Sequence, residues 1–207
     1  MRDRAVLPLR LKLAFTGFML AWVPLVLARH GWQNFLWLCD LGNFLVLAGL
    51  WLESRLLLSS QLVATLLIGV AWAPTCWSPP SPASIRSRRR PTCSTRSSRS
   101  PCAWRRCSTL FVPGLLLFAV ARLGHDRRGW LLQTLLCWIV LPLGAWLTDP
   151  ARNINWVEAP FAVPQTWLPP WLYLVVCMAA YPLLLYAPVE ALLRRALPAG
   201  PERANGV

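Results

Sequence analysis

The sequence predicts an all-α integral membrane protein of about six transmembrane helices, with its N- and C-termini on the cytoplasmic side. Three observations carry that prediction. Apolar residues make up 56% of the 207-residue chain and its mean hydropathy is +0.46, too apolar for an ordinary water-soluble domain. The apolar residues fall in runs about as long as a bilayer-crossing helix, which needs roughly 20 residues at about 1.5 Å rise each. Arginines collect at alternate ends of those runs, as they do where cytoplasmic loops are basic.

The first run, Leu13 to Ala28, follows Arg2, Arg4, Arg10 and Lys12. That basic start resembles a secretory signal, and Val26-Leu27-Ala28 offers a cleavage pattern. A second full span begins at once, so an uncleaved first helix is the expectation. The second run is Gly31 to Leu52, the third Leu56 to Ala73, the fifth Trp130 to Thr148 and the sixth Trp171 to Leu193. Between the third and fifth lies Leu110 to Val120, about half a span long. Pro24, Pro142 and Pro182 lie inside spans, where proline bends a helix. Trp32, Trp51, Trp72, Trp130, Trp146 and Trp171 mark the ends of runs, where an indole has both apolar and aqueous neighbours.

Six crossings with the N-terminus inside leave Arg2, Arg4, Arg10, Lys12, Arg55, Arg122, Arg127, Arg128, Arg194, Arg195 and Arg203 cytoplasmic. The outer side keeps only Arg29 and Arg152, apart from the segment 74–109. That segment is irregular and breaks the rule. It holds eight of the 21 basic residues and four of the seven cysteines, with no Asp, Glu, Leu, Val or Gly. Without its eight arginines the net charge of +13 falls to +5.

A reading-frame error accounts for this segment and for the short fourth run together. Alanine, proline and arginine have GC-rich codons, which points to a bacterial gene. In the neighbouring frame of such a gene, Ser, Cys and Trp codons turn into Val or Leu, and Arg and Pro codons into Ala or Pro. The segment then becomes apolar and completes the fourth helix. The alternative is a genuine Ser/Arg/Pro-rich loop, unable to bury enough apolar area to order itself. Only in that case do Arg86 to Arg106 offer a surface for nucleic acid or anionic lipid; otherwise no nucleic-acid partner is expected. Cys76, Cys93, Cys102 and Cys107 show no C-x2-C spacing and no nearby His, so no metal site is expected. The chain thus reads as one membrane domain over 1–207, with 196–207 as a disordered tail and the lipid bilayer as its surroundings.

Two polar groups stand out. Asp40 is placed near the middle of the second span, where a carboxylate is costly and faces the bundle interior. Gln33, Asp40 and Asn43, spaced by seven and three, share one face of a continuous helix. They suit an ion, proton or polar-substrate site, or a hydrogen-bonded cluster that locks helices together. The second group is on the outer side. His30 follows the first span, and Asp149, Asn153, Asn155 and Glu158 lie in the loop from Thr148 to Pro170. His30 beside Asp149 or Glu158 suits an acid–base pair of a membrane enzyme, but a tryptophan-anchored loop uses the same residues. His125-Asp126-Arg127-Arg128 reads as a solvated cytoplasmic turn, and Glu53-Ser54-Arg55 as a tight turn with a local ion pair. No phosphate loop, nucleophile elbow or H-E-x-x-H is present. The enzyme reading is therefore the weaker one, with no catalytic residue and no cofactor assigned.

The stretches HGWQNFLWLCDLGNFLVLAGLWLESRLLLSSQ from His30 and LTDPARNINWVEAPFAVPQTWLPPWLYL from Leu147 resemble small bacterial multi-pass proteins described only as membrane-associated. The resemblance covers roughly 11–73 and 111–195 and implies an inner-membrane location with an apolar middle segment. It implies no catalytic residues.

Overall fold

In a computed structural model of the chain, residues 7–77, 100–160, 163 and 165–197 are described, with side chains described for 7–69, 111–160, 163 and 165–197. Among them the structure is helical and contains no strand. The long helices are α1 (Leu9–His30), α2 (Leu38–Leu52), α3 (Arg55–Trp77), α4 (Ser100–Leu123), α5 (Gly129–Leu147) and α6 (Pro170–Ala196). Of these, α1, α5 and α6 are long and apolar enough to cross a membrane, with mean hydropathies of 1.8, 1.7 and 1.9 over their best windows. Leucines that are well exposed along them, such as Leu20, Leu135 and Leu183, give the surface that hydrocarbon requires.

Two sequence expectations about the helices need correction. The second span is not one helix from Gly31. A short 3-10 turn (Trp32–Leu36) and extended Trp37 precede α2, which is left with 15 residues, or about 22 Å of length. The segment 74–109 is not irregular throughout: α3 runs on to Trp77, and α4 begins at Ser100. Helix propagation adds one hydrogen bond per residue fixed, and Pro101 in the first turn needs no amide partner. Residues 78–99, the centre of the suspected frame error, lie outside the described residues, as does most of the tail at 196–207. Finally, α6 is continuous but carries a π-helical stretch, Tyr181–Tyr186, that takes in Pro182. Pro182 has no N–H to offer the Met178 carbonyl four residues back, and Trp138 Nε1 of α5 donates to that carbonyl at 2.9 Å instead.

Packing centres on α3, which touches α2, α4, α5 and the π-helical stretch of α6. Leu58, Leu62, Leu116 and Leu141 are fully buried in this contact. A Cβ on Gly129 would lie 2.9 Å from the Ser59 backbone, so only glycine lets α5 start this close to α3. Gln61 Nε2 donates to Gln133 Oε1 at 3.1 Å, joining the same two helices by a buried polar contact. On the α1–α2 side, Trp22 meets Phe35 and Phe44 edge-on.

Helix direction alternates, so α1 begins and α6 ends at one end of the bundle. At that end Lys12 Nζ reaches Glu53 Oε1 at 2.8 Å, and the same oxygen accepts the Leu7 amide at 3.1 Å. Glu53 thus ties the start of α1 to the end of α2. The neighbouring turn differs from expectation. His125 is buried, not solvated: its Nε2 donates to Glu190 Oε2 at 3.0 Å, and Arg194 Nε donates to Glu190 Oε1 at 2.7 Å. The Asp126 amide donates to Ser59 Oγ at 3.0 Å, holding the turn down on α3. The His125 ring is drawn in because α6 brings a buried carboxylate to it from 65 residues away, which local sequence does not display.

Candidate functional site

At the other end of the bundle the chain must leave α1 and start α2 without exposing backbone groups to an apolar environment. Gly31, with φ of 74°, turns the chain out of α1. Glycine adopts this conformation at little cost, and here it also gives room: the Arg152 guanidinium nitrogens lie 3.9 Å from where a Cβ would sit. One of them donates to the His30 carbonyl, an acceptor left over by the end of α1.

The start of α2 is held by Asn155. Its Oδ1 accepts the Leu38 amide at 2.9 Å and its Nδ2 donates to the Leu36 carbonyl at 2.8 Å. One buried side chain therefore satisfies the backbone on both sides of Trp37. Asn155 itself has φ of 54°, the left-handed region that asparagine tolerates better than most residues. Tyr181 Oη donates to the Asn155 carbonyl at 3.0 Å, and Tyr173 Oη to the Trp156 carbonyl at 3.1 Å, fixing the loop to α6.

The break borders a cavity of about 710 Å³, within the usual range of small-molecule sites, roughly 300–1,000 Å³. Asn34, Asp40 and Asn43 line it, and Arg29, His30 and Arg152 line it at the end of α1. Trp22, Trp37, Tyr181 and Tyr186 supply aromatic wall, with Ile68 and Val112 adding apolar surface from α3 and α4. Asp40 stands in the first turn of α2, where the helix dipole favours a negative charge, and Asn34 Nδ2 donates to its Oδ2.

The structure brings together part of each predicted group. Asp40 and Asn43 share the cavity, whereas Gln33 belongs to the 3-10 turn before the break, and its Oε1 is buried without a hydrogen-bond partner. The shared helical face expected for all three is interrupted, because α2 starts only at Leu38. Of the outer group, His30 lines the cavity, and Asn155 holds the backbone on both sides of Trp37, which lines it too. Asp149 caps the short turn Pro150–Arg152 through the Ala151 amide, and Asn153 Oδ1 accepts the amides of Glu158 and Ala159. Among the described residues no group of three or more His, Cys, Asp or Glu is arranged to hold a metal ion.

Sequence reasoning missed Arg152, Asn34 and the four aromatic side chains. Gly31 before a run containing Gln33 and Asn34 was the available signal, since glycine and amides are poor residues for the interior of a span.

The class defined by fold and site is a helical bundle with three helices long and apolar enough to cross a membrane, and a cavity of mixed polar and apolar lining at one end. Compared with known proteins, the chain matches no protein-family model, no curated protein and no solved structure.

Proposed function

We propose that this is a multi-pass protein of a bacterial inner membrane that binds a small polar ligand, as a transport-type component, in the cavity beside Asp40 and Asn43. The observation that carries this reading is the cavity itself: a carboxylate, two amides and two arginines converge on it at a helix break inside an apolar bundle. A cluster that only locked helices together would leave no such space. The resemblance to small membrane-associated bacterial proteins fits this location.

In this reading the six helices all cross the bilayer, with α2 completed by the turn before it. Lys12, Arg55, Arg127, Arg128, Arg194 and Arg195 belong to the end that the charge rule makes cytoplasmic. The cavity, with Arg29 and Arg152, then opens toward the outer face. Cysteine placed at Asp149 or Arg195, in a chain otherwise free of cysteine, tests the orientation. In intact cells a membrane-impermeant thiol reagent should label Asp149→Cys and reach Arg195→Cys only after permeabilisation. Labelling in the reverse order would overturn it.

We also hold the central segment to be frame-shifted, supported by its charge and composition. Resequencing codons 70 to 115 decides this, and an intact frame there would refute it.

An outer-face enzyme is the second reading, and Asp149 weakens it. Its Oδ1 accepts the Ala151 amide at 2.9 Å as the cap of a short turn, a structural use of the carboxylate.

A further inference from the structure

The cavity at the break is lined by basic and acidic side chains. Arg29, in the last turn of α1, and Arg152, whose guanidinium reaches the His30 carbonyl, line it. Asp40, in the first turn of α2, is held by Asn34. Asp40 is the sole carboxylate among the described residues that line the cavity. A ligand of one charge is attracted by one kind of group in this lining and repelled by the other. In an apolar bundle that repulsion is poorly screened. A molecule with both charges gains from both kinds.

The wall supports the same assignment. Trp37 and Tyr181 line the cavity with Asp40, and aromatic rings attract an ammonium group as a carboxylate does. A guanidinium offers five donors, and one of Arg152's goes to the His30 carbonyl. The donor geometry of arginine matches a phosphate or carboxylate. Apolar Val26, Ile68 and Val112 leave room for hydrocarbon next to these groups.

We infer that the cavity binds a compact zwitterion, its ammonium beside Asp40 and its phosphate or carboxylate beside Arg152. This rests on the reading of the cavity as a ligand site. The same chemistry has two sources: a dissolved zwitterion, or the headgroup of a phosphatidylethanolamine entering from the bilayer.

The test uses the full chain in nanodiscs of phosphatidylglycerol, which lacks an ammonium group. Glycine betaine and glycerophosphoethanolamine are the dissolved probes, with ethanolamine and inorganic phosphate as single-charge controls. At least one zwitterion should bind about tenfold or more tighter than either control, equivalent to about 1.4 kcal/mol. Asp40→Asn and Arg152→Gln should each remove that advantage, while Asp40→Glu, which keeps the charge, should retain most of it. If the source is the bilayer, doping the nanodiscs with phosphatidylethanolamine should raise the melting temperature of the native chain and not of Asp40→Asn. Equal binding of a single-charge control, or no response to either source, would overturn the inference and leave both charges as caps of helix ends. Should Asn43→Cys still be labelled from the outer face in that event, the cavity reading stands and only the ligand class falls.

Discussion

Replacing Glu190 with Ala should destabilise the folded bundle by about 1–4 kcal/mol: about 1–3 for the buried His125 hydrogen bond left unmade and up to about 1 for the half-exposed Arg194 pair. Glu190 is 3% exposed and His125 4%, so neither can turn to water when the other is lost. The carboxylate joins two elements, accepting from His125 in the turn between α4 and α5 and from Arg194 one helical turn further along α6. Its loss leaves His125 Nε2 without a partner, in a ring whose Nδ1 already has none. Glu190→Gln keeps an oxygen for His125 but sets an amide N–H₂ against Arg194, and should fall between the native chain and Glu190→Ala. Unfolding in denaturant, followed by tryptophan fluorescence, measures both. A loss of less than about 1 kcal/mol for Glu190→Ala would mean that the pair contributes no more than an exposed one.

Asn155→Ala is expected to have the second large effect, about 2–5 kcal/mol. Two part-buried backbone groups, the Leu38 amide and the Leu36 carbonyl, lose their partner, at about 0.5–1.5 kcal/mol each. Alanine is also strained at this positive φ, by about 1–2 kcal/mol. Asn155→Gly relieves that strain without restoring the hydrogen bonds, so it should be the milder of the two. If alanine and glycine prove equal, backbone strain has no part in the effect. If both match the native chain, the break does not depend on Asn155. Ligand binding in the cavity should weaken with stability, because the same contacts hold Trp37 and α2 in its wall.

These two residues show what the sequence displayed and what it did not. Apolar runs gave α1, α3, α5 and α6 to within a few residues, since length and composition are properties of each segment alone. The break at Gly31–Trp37 was hidden because Trp32, Phe35, Leu36 and Trp37 are as apolar as the helix that follows. What breaks the helix is a side chain 117 residues further on, and its amide reveals nothing about that partner locally. The same holds for His125 and Glu190: one sits in a turn rich in arginine, the other in a basic helix end, and only the antiparallel packing of α6 brings them together. Asp40 and Asn43 could be picked out because a carboxylate and an amide are rare in apolar runs. Arg152 could not, because arginine in a loop is ordinary until the fold places it over Gly31.

Accessibility of Asn43→Cys in intact cells is the most direct test of a polar cavity open to the outer face. With the native cysteines replaced by alanine, a small membrane-impermeant thiol reagent should modify this position. Cysteine at Leu135, an exposed apolar site facing outward on α5, should stay unmodified in the bilayer. Modification of Asn43→Cys that excess zwitterion slows would join the cavity to its ligand. An Asn43→Cys protein that folds but reacts no faster than Leu135→Cys would contradict the cavity, and with it the proposed function.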